Sequence, residues 1–127
     1  MPLRAFVGVL VAFVLAAPLR AQTRGPSPGN ETTITGWVID LNCQAAAGLS
    51  GPAHKRCAQA CAKAGVPLAI LGDDGTIYLP VSSKPGDPQN SRLSQFAEAR
   101  VTVKGIHRYA NGLHTIEITS VAGGSGS

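Results

Sequence analysis

Most of the chain after residue 30 alternates apolar and polar positions in short runs that are typical of β-strands. The first run contains Gly36, which indicates a bulge or a point where another strand approaches closely. Turn signals separate the later runs, since Gly72-Asp73-Asp74-Gly75 and Asn111-Gly112 each predict a hairpin. The five predicted strands are 32–41, 68–71, 76–81, 100–109 and 113–121.

Two segments have a helical composition instead. Residues 53–64 are rich in alanine and are followed by Gly65, a residue type that commonly terminates helices. Asn90 or Ser91 can cap a second, shorter helix that runs to about Glu98. The predicted loops are 42–52 and 82–90.

The resulting order is strand, helix, strand, strand, helix, strand, strand. Five strands with a helix between the third and the fourth is the order of an OB-type barrel, a small five-stranded sheet. The helix at 53–64 is then an insertion between the first two strands. The sequence therefore predicts a mainly β, OB-like barrel forming a single domain at 32–121, and an open α+β sheet is the alternative.

The first 21 residues have the layout of a secretory signal peptide. Arg4 precedes an apolar run at 5–17, and Ala21 offers a small residue at the cut. The run is short for a transmembrane helix, and a retained membrane anchor is the alternative. We therefore expect a periplasmic or extracellular protein with no stable membrane insertion after cleavage, a flexible leader at 22–31 and a disordered tail at 122–127.

Export changes the meaning of the charge. The full chain has 11 basic and 7 acidic residues and a net charge of +4. Cleavage removes Arg4 and Arg20, so the net charge falls to +2. Such a small excess gives no support for a nucleic-acid partner.

All the cysteines of the chain lie near one histidine: the four residues are Cys43, His54, Cys57 and Cys61. The last three read H-x2-C-x3-C, and at about 100° per residue a helix places Cys57 roughly 60° and Cys61 roughly 20° from His54. One helical face thus carries three donors, and Cys43 can complete the set from the end of the first strand. Thiolate and imidazole suit zinc and copper(I), so the pattern predicts a Cys3His metal site. We expect Asp40 to accept the remaining N–H of the His54 ring.

Two other interpretations of the cysteines stay open. An exported protein can form a Cys43–Cys57 or a Cys43–Cys61 disulfide, which would fix the inserted helix to the first strand and contribute about 3 kcal/mol. The other interpretation is a thiol redox protein, in which Lys55 and Arg56 would favour a thiolate. The C-x3-C spacing and the surrounding elements do not match those of thioredoxin-like enzymes.

His107 and His114 lie in the last predicted hairpin. Its turn pairs Tyr109 with His114. It also pairs His107 with Ile116, so both histidines are expected to point inward near one end of the barrel. They are a candidate second metal or ligand site, and a hydrogen-bonded rim is the commoner use of such residues.

Three motifs resemble a family of small exported bacterial proteins of uncharacterised function. They are the GWVIDLNC stretch from Gly36 to Cys43, the H-x2-C-A-x2-C segment from His54 to Cys61, and Gly65-Val66-Pro67. The resemblance extends over most of residues 34–120. It implies an exported OB-like domain with a Cys/His site, and it supplies no activity.

The residues point to a binding function more than to catalysis. The sequence contains no Ser-His-Asp order, phosphate loop or H-E-x-x-H motif, so hydrolase and nucleotide chemistry have no support. Four protein ligands would close the coordination sphere, which favours a structural or carrier role. The expected partners are a zinc or copper ion and another exported protein.

Overall fold

The computed structural model describes Met1 and residues 28–124, so the predicted signal peptide and most of the predicted leader lie outside the described residues. Five strands and three α-helices form the domain. The strands are β1 (Asn30–Asp40), β2 (Leu68–Gly72), β3 (Ile77–Pro80), β4 (Arg100–Ala110) and β5 (Leu113–Gly123). The helices are α1 (Leu41–Ala47), α2 (Lys55–Lys63) and α3 (Asn90–Leu93), and 3-10 turns at Pro52–His54 and Ser94–Phe96 accompany them.

The strands close into a barrel in the order β1-β2-β3-β5-β4, with β4 returning to β1. Every neighbouring pair is antiparallel except β3 and β5, which run parallel because α3 and the segment around it cross between β3 and β4. This confirms the predicted OB-like barrel and excludes the open sheet. The helices between β1 and β2 are the predicted insertion.

Gly36 lies where β1 is paired on both sides, opposite Gly72 of β2 and Val101 of β4. A β-carbon at this position would stand 2.2 Å from the carbonyl oxygen of Leu71. The predicted close approach is therefore confirmed, since only a residue without a side chain lets the two strands come together here.

The barrel interior is filled by aliphatic side chains that alternate with outward-facing residues along the strands. Leu93 brings the first turn of α3 into this interior, and Ala62 of α2 packs against the same cluster. The buried members are Ile34, Val38, Leu68, Ile70, Leu93, Val101, Val103, Ile116 and Ile118. The inserted helix is thus fastened to the core and can hold side chains in fixed positions.

Two local predictions about helices were wrong. Leu41, predicted to end the first strand, and residues 42–47, predicted as loop, form α1. Asp40 accepts a hydrogen bond from the Cys43 N–H at 2.9 Å, and Gly48 ends the helix with φ of 62°. The side chain of Asn90 does not cap α3. It accepts from the Leu68 N–H at 3.0 Å and donates to the Val66 carbonyl at 2.8 Å, and so anchors the start of β2.

The last hairpin turns at Asn111 and Gly112, with φ of 53° and 81°. Two successive positive φ values are the signature of a type I′ turn, whose twist matches that of paired strands. The predicted register is confirmed: Tyr109 lies opposite His114, and His107 lies opposite Ile116.

Glu117 of β5 joins the loop after β3 to the barrel. Its carboxylate accepts from the Ser83 hydroxyl at 2.5 Å, the Ser83 N–H at 3.0 Å and the Arg108 guanidinium at 3.0 Å. These bonds, the Ser83 hydroxyl first, lower the pKa of Glu117 to about 2.

The lowered pKa of Glu117 predicts a pH-dependent contribution to stability. A carboxyl whose pKa is depressed by folding stabilises the folded state fully above its ordinary value of 4.5, and loses that effect as the pH falls towards about 2. The difference in the free energy of unfolding between wild type and Glu117→Gln should therefore shrink as the pH is lowered through that window. Urea titrations at a series of pH values measure it, and a difference that stays constant would contradict the prediction.

Within residues 28–124, none of the helices combines the length and the apolar character needed to cross a membrane.

Candidate metal centre

The candidate centre begins where β1 ends. Asp40 is fully buried at the end of that strand, and its carboxylate caps α1 through the Cys43 N–H. The cap fixes the direction in which the chain leaves the barrel. Cys43 follows within the first turn of α1 and is half-buried. One short-range hydrogen bond therefore decides where the first sulfur lies.

The remaining predicted donors come from the second inserted helix. His54 ends the 3-10 turn that leads into α2, and Cys57 and Cys61 lie one turn apart on α2. Ala58, between them, is fully buried. Because alanine is small, α2 can pack close to the barrel and bring its sulfurs towards α1.

The donor atoms form two overlapping groups that share one sulfur. In the first, the ligand atoms of Cys43, His54 and Cys57 all lie within 4.8 Å of one another. In the second, those of Asp40, Cys43 and Cys61 do so. The structure thus brings all four predicted donors to one region, with Cys43 at the centre and Cys61 on the side of Asp40.

The carboxylate that orients His54 is that of Glu98. Its Oε1 lies 3.0 Å from His54 Nδ1, and the two side chains are 1% and 13% exposed. An ionised carboxylate only accepts hydrogen bonds, so Nδ1 carries the proton and Nε2 has the free lone pair. The expectation that Asp40 would accept from this ring was wrong, because the Asp40 carboxylate turns towards α1 and the cysteines instead.

Glu98 is held in an unusual conformation. Its φ is 55°, a left-handed value that few non-glycine residues adopt. Its backbone N–H donates to the Val38 carbonyl at 2.8 Å, and its carboxylate accepts from the Gly51 N–H at 2.7 Å. A buried carboxyl group on strained backbone is typical of functional sites, where the surrounding contacts maintain the strain.

One buried nitrogen of the centre, Nε2 of His54, lacks a hydrogen-bond partner within the described part of the chain. Buried polar groups are normally satisfied, so this atom calls for an explanation. A cation bound between the sulfurs would give the His54 lone pair its partner. The residues present therefore fit a metal ion.

The thiols are electrostatically linked to Asp40. Burial raises the pKa of Asp40, but hydrogen bonds from the Cys43 N–H and from the thiols of Cys61 and Cys43 outweigh it and hold that pKa below its usual value. The same contacts act in the opposite direction on sulfur. The hydrogen bond to Asp40 raises the pKa of Cys61 to about 12, and burial followed by the charge of Asp40 raises the pKa of Cys43. Both residues are therefore thiols at neutral pH, and a metal ion that bound them would displace their protons.

The other predicted pair, His107 and His114, lies on β4 and β5 away from this centre. His107 Nε2 is 3.0 Å from His114 Nδ1, and both rings are half-buried. The two histidines are therefore brought together, as a pair separate from the cysteines.

Sequence reasoning did not find Glu98. The residue stands 44 positions from His54 and was expected only to end a short helix. No local motif contains both residues, and only the closure of the barrel brings them together. The only signal in the sequence was a charged residue just before a predicted strand. Charged residues at such places are usually exposed, so this signal does not identify a buried functional residue.

Comparison of the chain with protein-family models, with curated proteins and with solved structures gives no match.

Proposed function

We propose that this protein is an exported metal-binding domain that holds one zinc or copper ion with Cys43, His54, Cys57 and Cys61. The observation that carries the proposal is the state of His54. Its Nδ1 is bound to the buried Glu98 carboxylate, its Nε2 is buried without a partner among the described residues, and one of its ring nitrogens lies within 4.8 Å of the Cys43 and Cys57 sulfurs. A carboxylate that orients a histidine ring is the usual support of a metal-ligating imidazole.

The distances support this proposal. A tetrahedral zinc ion, with sulfur at about 2.3 Å and nitrogen at about 2.05 Å, keeps its ligand atoms about 3.5–3.8 Å apart. The donor atoms of Cys43, His54 and Cys57 lie within 4.8 Å of one another, so they need to draw together by about 1.3 Å at most. Rotation about the cysteine side-chain bonds can supply such a shift without moving the helices.

The arrangement of ligands favours a carrier or structural role. If Cys61 completes the set, four protein atoms surround the ion and leave no position for a substrate. Cys57 is nevertheless exposed, so an incoming partner can reach one of the four ligands. This combination suits a domain that passes its ion to another exported protein.

The disulfide interpretation is the alternative function class, and one observation favours it. The Cys43 sulfur lies within 4.8 Å of the sulfurs of both Cys57 and Cys61. Either bond would join α1 to α2 and produce a stapled interaction domain without a metal. The three cysteines are unbridged in the structure.

Metal analysis of the wild-type protein tests the two alternatives. The protein is purified without chelators from the periplasm of a bacterial host, and its zinc and copper are measured per chain. Intact mass is recorded under native and denaturing conditions. We expect one ion per chain in the native protein, and three free thiols after denaturation with a chelator. A metal-free protein whose mass is lower by two hydrogens would support the disulfide instead.

A matched pair of variants controls this experiment. Cys57→Ser removes a proposed ligand and should lose the ion. Ala60→Ser adds a hydroxyl at an exposed position of the same helix, outside both donor groups, and should keep it. Equal metal content in the two variants would contradict the assignment of Cys57.

A further inference from the structure

We propose that His107 and His114 form a second, independent metal site, and that it takes a Cu²⁺ or Ni²⁺ ion. The site is open, with two imidazole nitrogens from the protein and the other positions left to water or to a donor group of a bound molecule. It uses none of the residues of the Cys/His centre.

The two nitrogens are close enough for one ion to bind both, and their spacing is nearer to that of a 90° angle at the metal than to that of a tetrahedral angle. His107 Nε2 and His114 Nδ1 are 3.0 Å apart. An ion at about 2.05 Å from each nitrogen would have an N–metal–N angle of about 94°. Tetrahedral zinc, with an angle of about 109°, would need nitrogens about 3.3–3.4 Å apart. An angle near 90° is that of square-planar and tetragonal sites, which Cu²⁺ and Ni²⁺ prefer.

The pair is preorganised by its position on the barrel. The two residues are diagonal neighbours on the antiparallel strands β4 and β5, and their rings are nearly parallel at 6°. The Tyr78 ring meets both imidazoles edge-on, with centroids 5.4 Å and 5.7 Å away. Tyr109 packs on His114 at 4.6 Å. These aromatic contacts keep the two ring nitrogens close to one another before an ion binds.

Metal binding requires one tautomeric change. In the metal-free protein one ring donates its N–H to the other across the 3.0 Å contact. The donor ring must move that proton to its second nitrogen, and each ring must tilt by about 40° to aim its lone pair at an ion with the geometry above. A neutral imidazole can carry its proton on either nitrogen, so the exchange needs no net loss of charge from the protein.

The second site is remote from the cysteines. His107 pairs with Asn30 at the start of β1, whereas Asp40 ends the same strand. Ten residues of strand separate the two positions, roughly 30 Å along β1. Signals from an ion at one site can therefore be distinguished from signals at the other.

Nickel titration of the ¹⁵N-labelled full chain tests the proposal. Six-coordinate Ni²⁺, with water at the positions that the two imidazoles leave open, is paramagnetic and, unlike Cu²⁺, does not oxidise thiols readily. We expect amide signals around residues 107 and 114 to broaden at low Ni²⁺ concentration. Any broadening around residue 57 would form a second, separate region. His107→Gln and His114→Gln should each weaken this binding by at least about tenfold. Because the two histidines form one site, the double variant should show the same loss of Ni²⁺ binding as each single variant.

The controls address folding and location. The amide spectrum of each variant without metal shows whether the barrel is intact, and Tyr109→Phe keeps the ring that packs on His114 while leaving both nitrogens in place. If one histidine variant fails to fold, comparison of the broadening in the wild type with that in the other variant still tests the site. Broadening confined to the cysteine region, or broadening at residues 107 and 114 that survives the double substitution, would overturn the proposal and leave a hydrogen-bonded rim.

Discussion

Replacing Glu98 with alanine is expected to lower the free energy of unfolding by about 2–5 kcal/mol and to weaken metal binding by about 10–100-fold. The stability loss follows from the contacts of the carboxylate, which accepts from the Gly51 N–H, from His54 Nδ1 and, at 3.4 Å, from the Asp40 N–H. Alanine would leave all three donors buried without an acceptor. Urea denaturation of the metal-free protein measures the first effect, and competition with a zinc chelator measures the second.

Two further substitutions separate the roles of Glu98. Glu98→Gln keeps one acceptor oxygen but places an amide N–H₂ against one of the donors, so its stability and metal affinity should fall between those of wild type and Glu98→Ala. Glu31→Ala is the control: it changes the net charge of the protein by the same amount but removes an exposed carboxylate, and it should change neither stability nor metal affinity. If Glu98→Ala were as stable as Glu31→Ala, the carboxylate would not be the organising contact of the centre.

The part of the fold that sequence predicted rests on local physics. Strand alternation fixes which side chains face inward, and the Asn111-Gly112 turn fixes the register of β4 and β5 through its two positive φ values. Once five strands and one crossing helix are recognised, few topologies are open, because sequential strands tend to pair and connections avoid crossing. The barrel order followed from these rules.

The part that sequence missed rests on longer-range contacts and on competition between partners. Helix α1 has a cap at Asp40 and a terminating Gly48, but it is only seven residues long, too short to show a helical period. Asn90 stands where a cap was expected, but its amide is used by Leu68 and Val66 instead. A hydrogen-bond partner in the folded chain thus determined both results: Asp40 caps α1, and Leu68 and Val66 bind the Asn90 amide.

The same distinction applies to the candidate centre. Spacing alone placed His54, Cys57 and Cys61 on neighbouring positions of one helical segment, since their offsets match the helical repeat. Which carboxylate orients His54 depends on the position of Glu98 beside Val38, a contact that continues the pairing of β1 with β4, strands far apart in sequence. Donor atoms close in sequence were therefore predictable, and the group that orients them was not.

Cys43→Ser is expected to abolish tight metal binding, by at least about 100-fold in affinity, because Cys43 is the one sulfur common to both donor groups. Its loss removes the shared member of both groups and leaves each with two donors, His54 with Cys57 and Asp40 with Cys61. The backbone N–H that Asp40 caps is retained, so the metal-free variant should fold and unfold at a urea concentration close to that of wild type. Zinc affinity, measured by chelator competition, should therefore change far more than stability does.

Comparison with the other cysteines distinguishes a closed from an open site. Ala45→Ser, at an exposed position of α1, controls for the added hydroxyl and should bind zinc like wild type. Cys61→Ser should weaken binding strongly if Cys61 is the fourth ligand, whereas a small effect would mean three protein ligands and a position open to solvent or substrate. Wild-type affinity in Cys43→Ser would contradict the shared-sulfur arrangement. A disulfide-stapled protein would instead show no metal in any variant, and would change from one free thiol to two when Cys43 is replaced.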